Sequence, residues 1–509
     1  MLFFIVFIPL VASAALWAMD KDSTGSVRNI ALSGASLCFL FSLFLLFGFE
    51  SENNGMQFVA GITWVESLNI HLKFGVDGIS LWLVILTSFL GVISVIYSGY
   101  SSNQINAKQR EFLALLLALE AGILGVFVSL DTISFYVFWE LMLLPSYFII
   151  GLWGEGDRIF ATTKFVLFTL VGSLLMLVAI LALSLEYHTV THEWSFDIDT
   201  LSHMHLSDGT QLWMFLCFFL AFAIKVPMFP LHSWLPHAYK SCPIAALILI
   251  TGAMSKAGTY GMVRFCVPLF PSAIESLGLI IGVCAASGMV YGAWIAVMQK
   301  DLKSLVAYSS ISHLGFIVLG IFSYNSQGVE GSVLQMVNHG IIASAMFIIV
   351  GIIEEKMGTR QLDKLKGMGT PMPVLYGMFM LLALAALGLP GLNGFVGEFL
   401  ILAGVWTSVT LSAMAAIFVL MGGAAIVFAS IYMLYMFQGA MQEKNADLPK
   451  DLQDINCAQF AVLLPACILV VFIGLYPKPF IDRIGPSVDN ALHAVKTVNV
   501  HTGESTSHH

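Results

Sequence analysis

Six ionisable side chains stand in stretches that are otherwise apolar: Glu140, Lys225, Lys256, His313, His339 and Glu398. Lipid excludes charge, so acids, amines and imidazoles kept at bilayer depth mark proton relays or ion paths. Imidazole exchanges protons near neutral pH. Acids, amines and imidazoles together are what a relay needs. Lys225 ends a long apolar run, and Pro227 and Pro230 follow it closely. Proline removes a backbone donor and clashes with the turn before it, so the helix must open there. An opened helix survives at bilayer depth only where protein buries it or water lines it. A lysine at such a break reads as part of an ion pathway.

Glu140, in Phe138-Trp-Glu-Leu-Met-Leu-Leu-Pro145, has no charged neighbour in sequence and is the natural partner for Lys225. A buried pair is costly to desolvate, and separating it leaves uncompensated charge that favours a neutral lysine and proton release. Lys256 is flanked by small residues that permit close helix packing (Met254-Ser-Lys-Ala-Gly-Thr-Tyr-Gly261). His313 and His339 fall in consecutive apolar runs among Ser and Asn, with no Cys or second His at ligand spacing. That favours a relay over a metal site. Glu398 follows a second interruption, Leu387-Gly-Leu-Pro-Gly-Leu-Asn-Gly-Phe-Val-Gly-Glu-Phe399, and lies 173 residues after Lys225. The glycines of that stretch lack the preceding strand and the following Lys-Ser/Thr of a phosphate loop. Glu120 and Lys164 are two further candidates; Lys164 could equally cap the cytoplasmic end of its helix.

The elements that must hold these groups are helices. The chain has 509 residues, 58% hydrophobic and 10% charged; a soluble protein carries about 25% charged residues. An all-α polytopic membrane protein is expected. Fourteen apolar runs are long enough to span a bilayer, with broken helices at the seventh and twelfth. Met1 to Ala18 lacks the positive start of a signal peptide and reads as a retained first helix. Span centres four to eight recur as nine to thirteen at an offset of roughly 165–170 residues. Five helices per copy invert the second copy, the inverted-repeat plan of secondary transporters. The expected divisions are 1–100, three helices; 110–266, the first repeat; 272–438, the second; and 455–480, a final helix with a short polar tail to 509.

Loops after odd-numbered spans hold 15 Lys and Arg, and loops after even-numbered spans, with the tail, hold 5. Cationic loops stay inside, which puts both termini on the outer, periplasmic side of a cell inner membrane. The net charge of −9 has no block pointing to nucleic acid, and seven scattered cysteines show no cluster or haem spacing. No redox centre, metal or bound cofactor is expected.

These residues resemble the antiporter-like chains of respiratory NADH:quinone oxidoreductase (complex I), which are similar to subunits of multi-subunit Na⁺/H⁺ antiporters. The resemblance runs from about Val76-Asp-Gly-Ile-Ser-Leu81 to Phe437. It is carried by Phe138-Trp-Glu140, Ile224-Lys-Val-Pro227, Pro230-Leu-His-Ser-Trp-Leu-Pro236, Tyr308-Ser-Ser-Ile-Ser-His-Leu-Gly-Phe316 and Asn393-Gly-Phe-Val-Gly-Glu-Phe399. Glu398 marks the chain type with an acid in the second broken helix, where sibling chains commonly carry lysine. The resemblance implies a proton-translocating subunit without its own cofactor, driven by quinone reduction elsewhere and flanked in the membrane arm by sibling chains. It implies Glu140 as the coupling acid, Lys225 as the base it modulates, Lys256, His313 and His339 as the central relay, and Glu398 on the outlet side. In His237-Ala-Tyr-Lys-Ser-Cys-Pro243 the chain departs from the Asp-Ala-His common in relatives. The rival readings are a cation/proton antiporter subunit and a passive scaffold locked by buried charge.

Overall fold

The structure, a computed structural model, describes residues 1–20, 24–99, 108–442, 448–449 and 452–493. Lys21, Lys444, Lys450 and Lys496, four of the cations counted for orientation, lie outside the described residues. Twelve helices among those described are long and apolar enough to cross a membrane. Three shorter apolar ones join them: α1 (Leu2–Trp17), α13 (Pro373–Ala386) and α14 (Asn393–Trp406). The first half holds α2 (Thr24–Gly48), α3 (Gly78–Ser98), α4 (Gln109–Val128), α5 (Thr132–Trp153), α6 (Arg158–Thr191), α7 (Asp208–Lys225), the short α8 (Leu235–Ser241) and α9 (Ile244–Leu269). The second holds α10 (Pro271–Val297), α11 (Leu302–Ile321), α12 (Ser326–Met357), α13, α14, α15 (Ala415–Met441) and α16 (Cys457–Leu475).

Polar residues punctuate the apolar runs and set where helices start. Asp77, Asp131, Ser207, Asp301, Asn325 and Asn456 each accept hydrogen bonds from backbone N–H groups at an N-terminus. These donors have no partner inside the helix, so a side-chain oxygen there stabilises the start. At Asp77 and Ser80 the bonding is reciprocal, a capping box that fixes the entry into α3.

Two regions depart from the sequence reading. The polar stretch 49–77 contains an antiparallel hairpin of β1 (Gln57–Val65) and β2 (Ile70–Val76), so the fold is mostly rather than wholly helical. The expected polar tail after 480 instead begins as α17 (Lys478–His493), which packs on α3 and α12. Phe480, Ile484, Val488 and Leu492 are buried there, recurring every fourth residue, one face of a helix.

Both interruptions are present. α7 ends at Lys225. The Trp234 indole N–H donates to the Ile224 carbonyl at 2.8 Å, replacing a bond the open helix lost. α13 ends at Ala386, and Gly388 (φ +77°) and Gly391 (φ +93°) turn the chain through left-handed conformations before α14. Burial ranks the helices. α9 and α12 are buried by the chain itself over their apolar cores, whereas α6 and α15 present long apolar faces outward, as lipid requires.

Gly391 has open space around its Cα, so only its backbone angle resists a side chain. Gly391→Ala is expected to destabilise the purified protein by about 1–2 kcal/mol, the cost of a left-handed L-residue. Gly377→Ala, an open position within helix α13, should be neutral or raise stability. Thermal unfolding of the two variants in detergent tests the contrast. Equal midpoints would show that the turn at 388–391 relaxes without glycine.

Candidate functional site

Lys256 lies mid-way along α9 and has no exposed surface. Two close helix approaches set its position. At Gly258 an added Cβ would stand 2.8 Å from the Phe222 carbonyl and 3.3 Å from the Lys225 Cβ, so α7 presses directly on α9. At Gly340 an added Cβ would stand 2.7 Å from the Gly252 carbonyl, so α12 crosses α9 almost backbone to backbone. Ser344 fastens that crossing by donating to the Ile248 carbonyl at 3.0 Å. Small residues permit such approaches and polar groups tie them together.

The backbone of α9 is locally widened at Ile250–Met254 and Met262–Cys266, where it runs as π-helix. Such turns free carbonyls from the regular ladder and recur at functional sites. The Lys256 ammonium uses one, donating to the Thr251 carbonyl at 2.5 Å, and stands 2.8 Å from His339 Nδ1. The His339 and His313 rings are 5.6 Å apart between centroids. His313 Nδ1 lies 2.9 Å from Glu398 Oε1, which also accepts from the Gln335 amide at 3.3 Å. Four of the six expected residues therefore form one buried chain: Lys256, His339, His313, Glu398. A cavity of about 10 Å³, open to the centre of a water molecule, is lined by His313, His339 and Glu398. That is close to the least space that holds one water.

Gln335, Asn338 and His339 share a face of α12 and work as a unit. Asn338 donates to the Asn393 carbonyl at 2.8 Å, and the Asn393 amide donates back to Asn338 Oδ1 at 3.2 Å. These bonds dock the first turn of α14, and with it Glu398, against α12.

Lys225 and Glu140 do not form the expected contact pair. The Lys225 ammonium sits over the Trp139 ring at 5.4 Å and the Phe165 ring at 5.7 Å, a cation held by aromatic faces. Glu140 is within electrostatic reach of that ammonium, while its Oε1 is buried without a protein partner. The two charges therefore act on each other without an ion-pair contact. Glu120 and Lys164 stand outside this chain. Glu120 is fully buried against Gly91 on α3, and Lys164 lies half-buried near the Phe160 ring, its charge reaching His232 and His237 beside the first break.

Two cations counted as loop residues prove to be interior. Lys303 is fully buried in α11 and donates to the Cys242 carbonyl at 2.6 Å. Arg264 is buried in α9 and pairs with Asp77 at 2.6 Å. Both stand near the ends of apolar runs, where sequence cannot separate an interfacial cation from a buried one. Gln335 and Asn338 were also missed, although polar residues one and four positions before His339 mark a shared face. Asp77 carried a signal in its Asp-x-x-Ser cap.

The fold and the site together define a polytopic membrane protein with two broken helices and a buried chain of proton-exchanging groups. The family described as NADH:quinone oxidoreductase/Mrp antiporter, TM matches residues 129–426. The chain belongs to that family. It is 37% identical to NADH-quinone oxidoreductase subunit M of Rhodobacter capsulatus, covering 98% of this chain and 97% of that one. It is 35% identical to NADH-ubiquinone oxidoreductase chain 4 of Marchantia polymorpha, covering 96% of each. A chain of respiratory complex I from Thermus thermophilus superposes with a TM-score of 0.87 at 29% identity, over 97% of this chain and 100% of that one. A chain of the Mrp complex from Dietzia sp. DQ12-45-1b shares the fold, with a TM-score of 0.84 at 20% identity over 99% of each chain.

The Gly340 crossing yields a direct test. Gly340→Ala is expected to cost about 1–3 kcal/mol, because a Cβ against the Gly252 carbonyl must force α12 away. The same shift should lengthen the Lys256–His339 contact. Thermal stability and a map of the variant would report both, and an unmoved α12 would exclude the crossing as the constraint.

Proposed function

We propose that this chain is a proton-translocating membrane-arm subunit of an NADH:quinone oxidoreductase. Its buried groups carry protons, while quinone reduction elsewhere in the complex supplies the drive. The observation that carries this reading is the buried sequence Lys256–His339–His313–Glu398, with 2.8 and 2.9 Å contacts at its two ends. Amine, imidazole and carboxyl each take and give a proton, and imidazole does so near neutral pH. An alkali cation would instead need a cage of oxygens, as hard cations do. Kinship with subunit M and chain 4 over nearly the whole length supports membership in a multi-subunit membrane complex with sibling chains as neighbours. The chemistry of this chain needs no cofactor of its own.

On this reading α1 and the broken pair α13/α14 each count as a span, which brings the twelve long helices to fourteen. The two repeats are then α4 to α9 (110–266) and α10 to α15 (272–438), each with its broken helix in fourth place. The segments 1–100 and 455–480 flank them. Moving Lys303 and Arg264 into the interior leaves 14 cations after odd spans against 4 after even ones. That still supports both termini on the outer side of the inner membrane.

Glu140 acts at the edge of the bundle. With no ion-pair contact between them, the pull of Glu140 on Lys225 depends on small changes in distance. Moving Glu140 closer holds the proton on Lys225, and moving it away releases the proton toward Lys256. Lys164 stands beside this step rather than in it.

Glu140→Gln and Lys225→Ala are expected to assemble yet lower coupled electron transfer and proton uptake, by roughly tenfold if about 1.4 kcal/mol of coupling is lost. Lys164→Ala should be milder. Quinone reductase activity and proton uptake in membrane vesicles measure both quantities. Full proton uptake in both Glu140→Gln and Lys225→Ala would refute the relay, whereas failed assembly with normal pumping in the residual complex would favour the scaffold.

A further inference from the structure

A cavity of about 550 Å³ opens on the face that carries the β-hairpin, the loop 192–207 and α17. Its wall includes Lys73, Asp197, His203, Arg264, Ser487 and Asn490. All of these but Arg264, which lies inside α9, belong to segments that follow even-numbered spans, or to the tail, so the charge count places this face outside. The wall mixes these polar groups with apolar ones such as Met56, Val59 and Leu130, and its polar side suits water.

Arg264 on this wall is held by a partner outside the lining, Asp77. Arg264 Nη2 donates to Asp77 Oδ2 at 2.6 Å, and Arg264 Nε donates to the Tyr260 hydroxyl at 3.2 Å. Tyr260 donates in turn to the Phe127 carbonyl at 3.1 Å. Tyr260 and Arg264 lie one and two turns beyond Lys256 on the same face of α9. The Lys256 ammonium is turned back toward Thr251 and His339, so meeting Tyr260, about 6 Å further along the axis by helical rise, requires the flexible lysine side chain to swing round. Asp77 is 2% exposed, so its charge is balanced by Arg264 rather than by water.

We propose that this cavity is an outlet for protons leaving Lys256, and that the Asp77–Arg264 pair gates it. The inference rests on Lys256 being a proton carrier. Arginine does not give up its proton, so Asp77 is the acceptor. A proton from the Lys256 ammonium passes by way of the Tyr260 hydroxyl, or a water beside it, to the Asp77 carboxylate. Lys256 is left neutral and Asp77 protonated. The neutral acid no longer holds Arg264, which has the cavity to move into. Cavity water then takes the proton from Asp77, and the restored carboxylate recaptures the guanidinium. The gate is open only while a proton sits on it.

The test uses the assembled complex in membrane vesicles. His203→Cys puts a thiol on the exposed cavity wall, and Gly209→Cys puts one on the same face where nothing stands within 4 Å. Each is labelled with a bulky, membrane-impermeant maleimide and compared with the same variant before labelling. Labelling His203→Cys from the outer side should lower protons moved per NADH oxidised at least twofold, while Gly209→Cys should be unaffected. Asp77→Asn keeps a good helix cap but accepts no proton, and should lower the same ratio while NADH oxidation continues. An unchanged ratio in the labelled His203→Cys complex overturns the outlet, whether or not Asp77→Asn assembles. If Lys256→Ala loses pumping in that same experiment, the relay stands and only the outlet falls. Normal pumping in Lys256→Ala removes both.

Discussion

The arrangement depends on α9 being held between α7 and α12 at two points where glycine is needed. Gly258 admits the α7 backbone, and the Gly252–Gly340 crossing admits α12. One lysine is thereby placed between a second lysine at a helix break and an imidazole on a helix of the other half. A β-carbon at either contact would push a helix aside, and the 2.8 Å contact between Lys256 and His339 would lengthen. Both α9 and α12 are buried by the chain itself over their apolar cores, so lipid does not reach these groups. Packing here sets the geometry, and the geometry sets the chemistry.

A relay of this kind must keep charge in the bilayer without letting it bind too tightly to one partner. Direct ion pairs at bilayer depth would trap the proton, because breaking them leaves an uncompensated charge. The interior avoids this trap at Lys225, which faces aromatic rings rather than a carboxylate. It accepts a tighter contact at Glu398, where an imidazole, not a permanent cation, stands 2.9 Å away. The buried pair close to α9's end, Asp77 with Arg264, lies off this chain and beside an open cavity.

Much of this was legible in the sequence because membranes make rare residues informative. Glu140, Lys225, Lys256, His313, His339 and Glu398 stood out against apolar neighbours, and prolines and glycines marked both breaks. Every apolar run contains a helix of the structure. What stayed hidden depends on tertiary distance. Nothing in the sequence tells that the Lys225 ammonium faces aromatic rings rather than Glu140, or decides that Arg264 and Lys303 turn inward while Arg158 stays exposed at the start of α6. In the hairpin of 57–76 the second strand, Ile70-His-Leu-Lys-Phe-Gly-Val76, does alternate apolar residues with others, but its partner 57–65 does not, so the pair does not stand out as strands. α17 was mistaken for a tail because its apolar face is only every fourth residue wide, which averages to a polar stretch.

The halves differ in a way that bears on direction. In the first, the break ends on an amine, Lys225, cradled by rings; in the second, the break is followed by an acid, Glu398, held by His313 and Gln335. On the proposed reading a proton released from the amine passes the imidazoles on its way toward the acid, and Glu140, half-buried at the edge of the bundle, is the acid placed to govern that release. The asymmetry of base and acid, rather than the symmetry of the fold, gives the path its two ends.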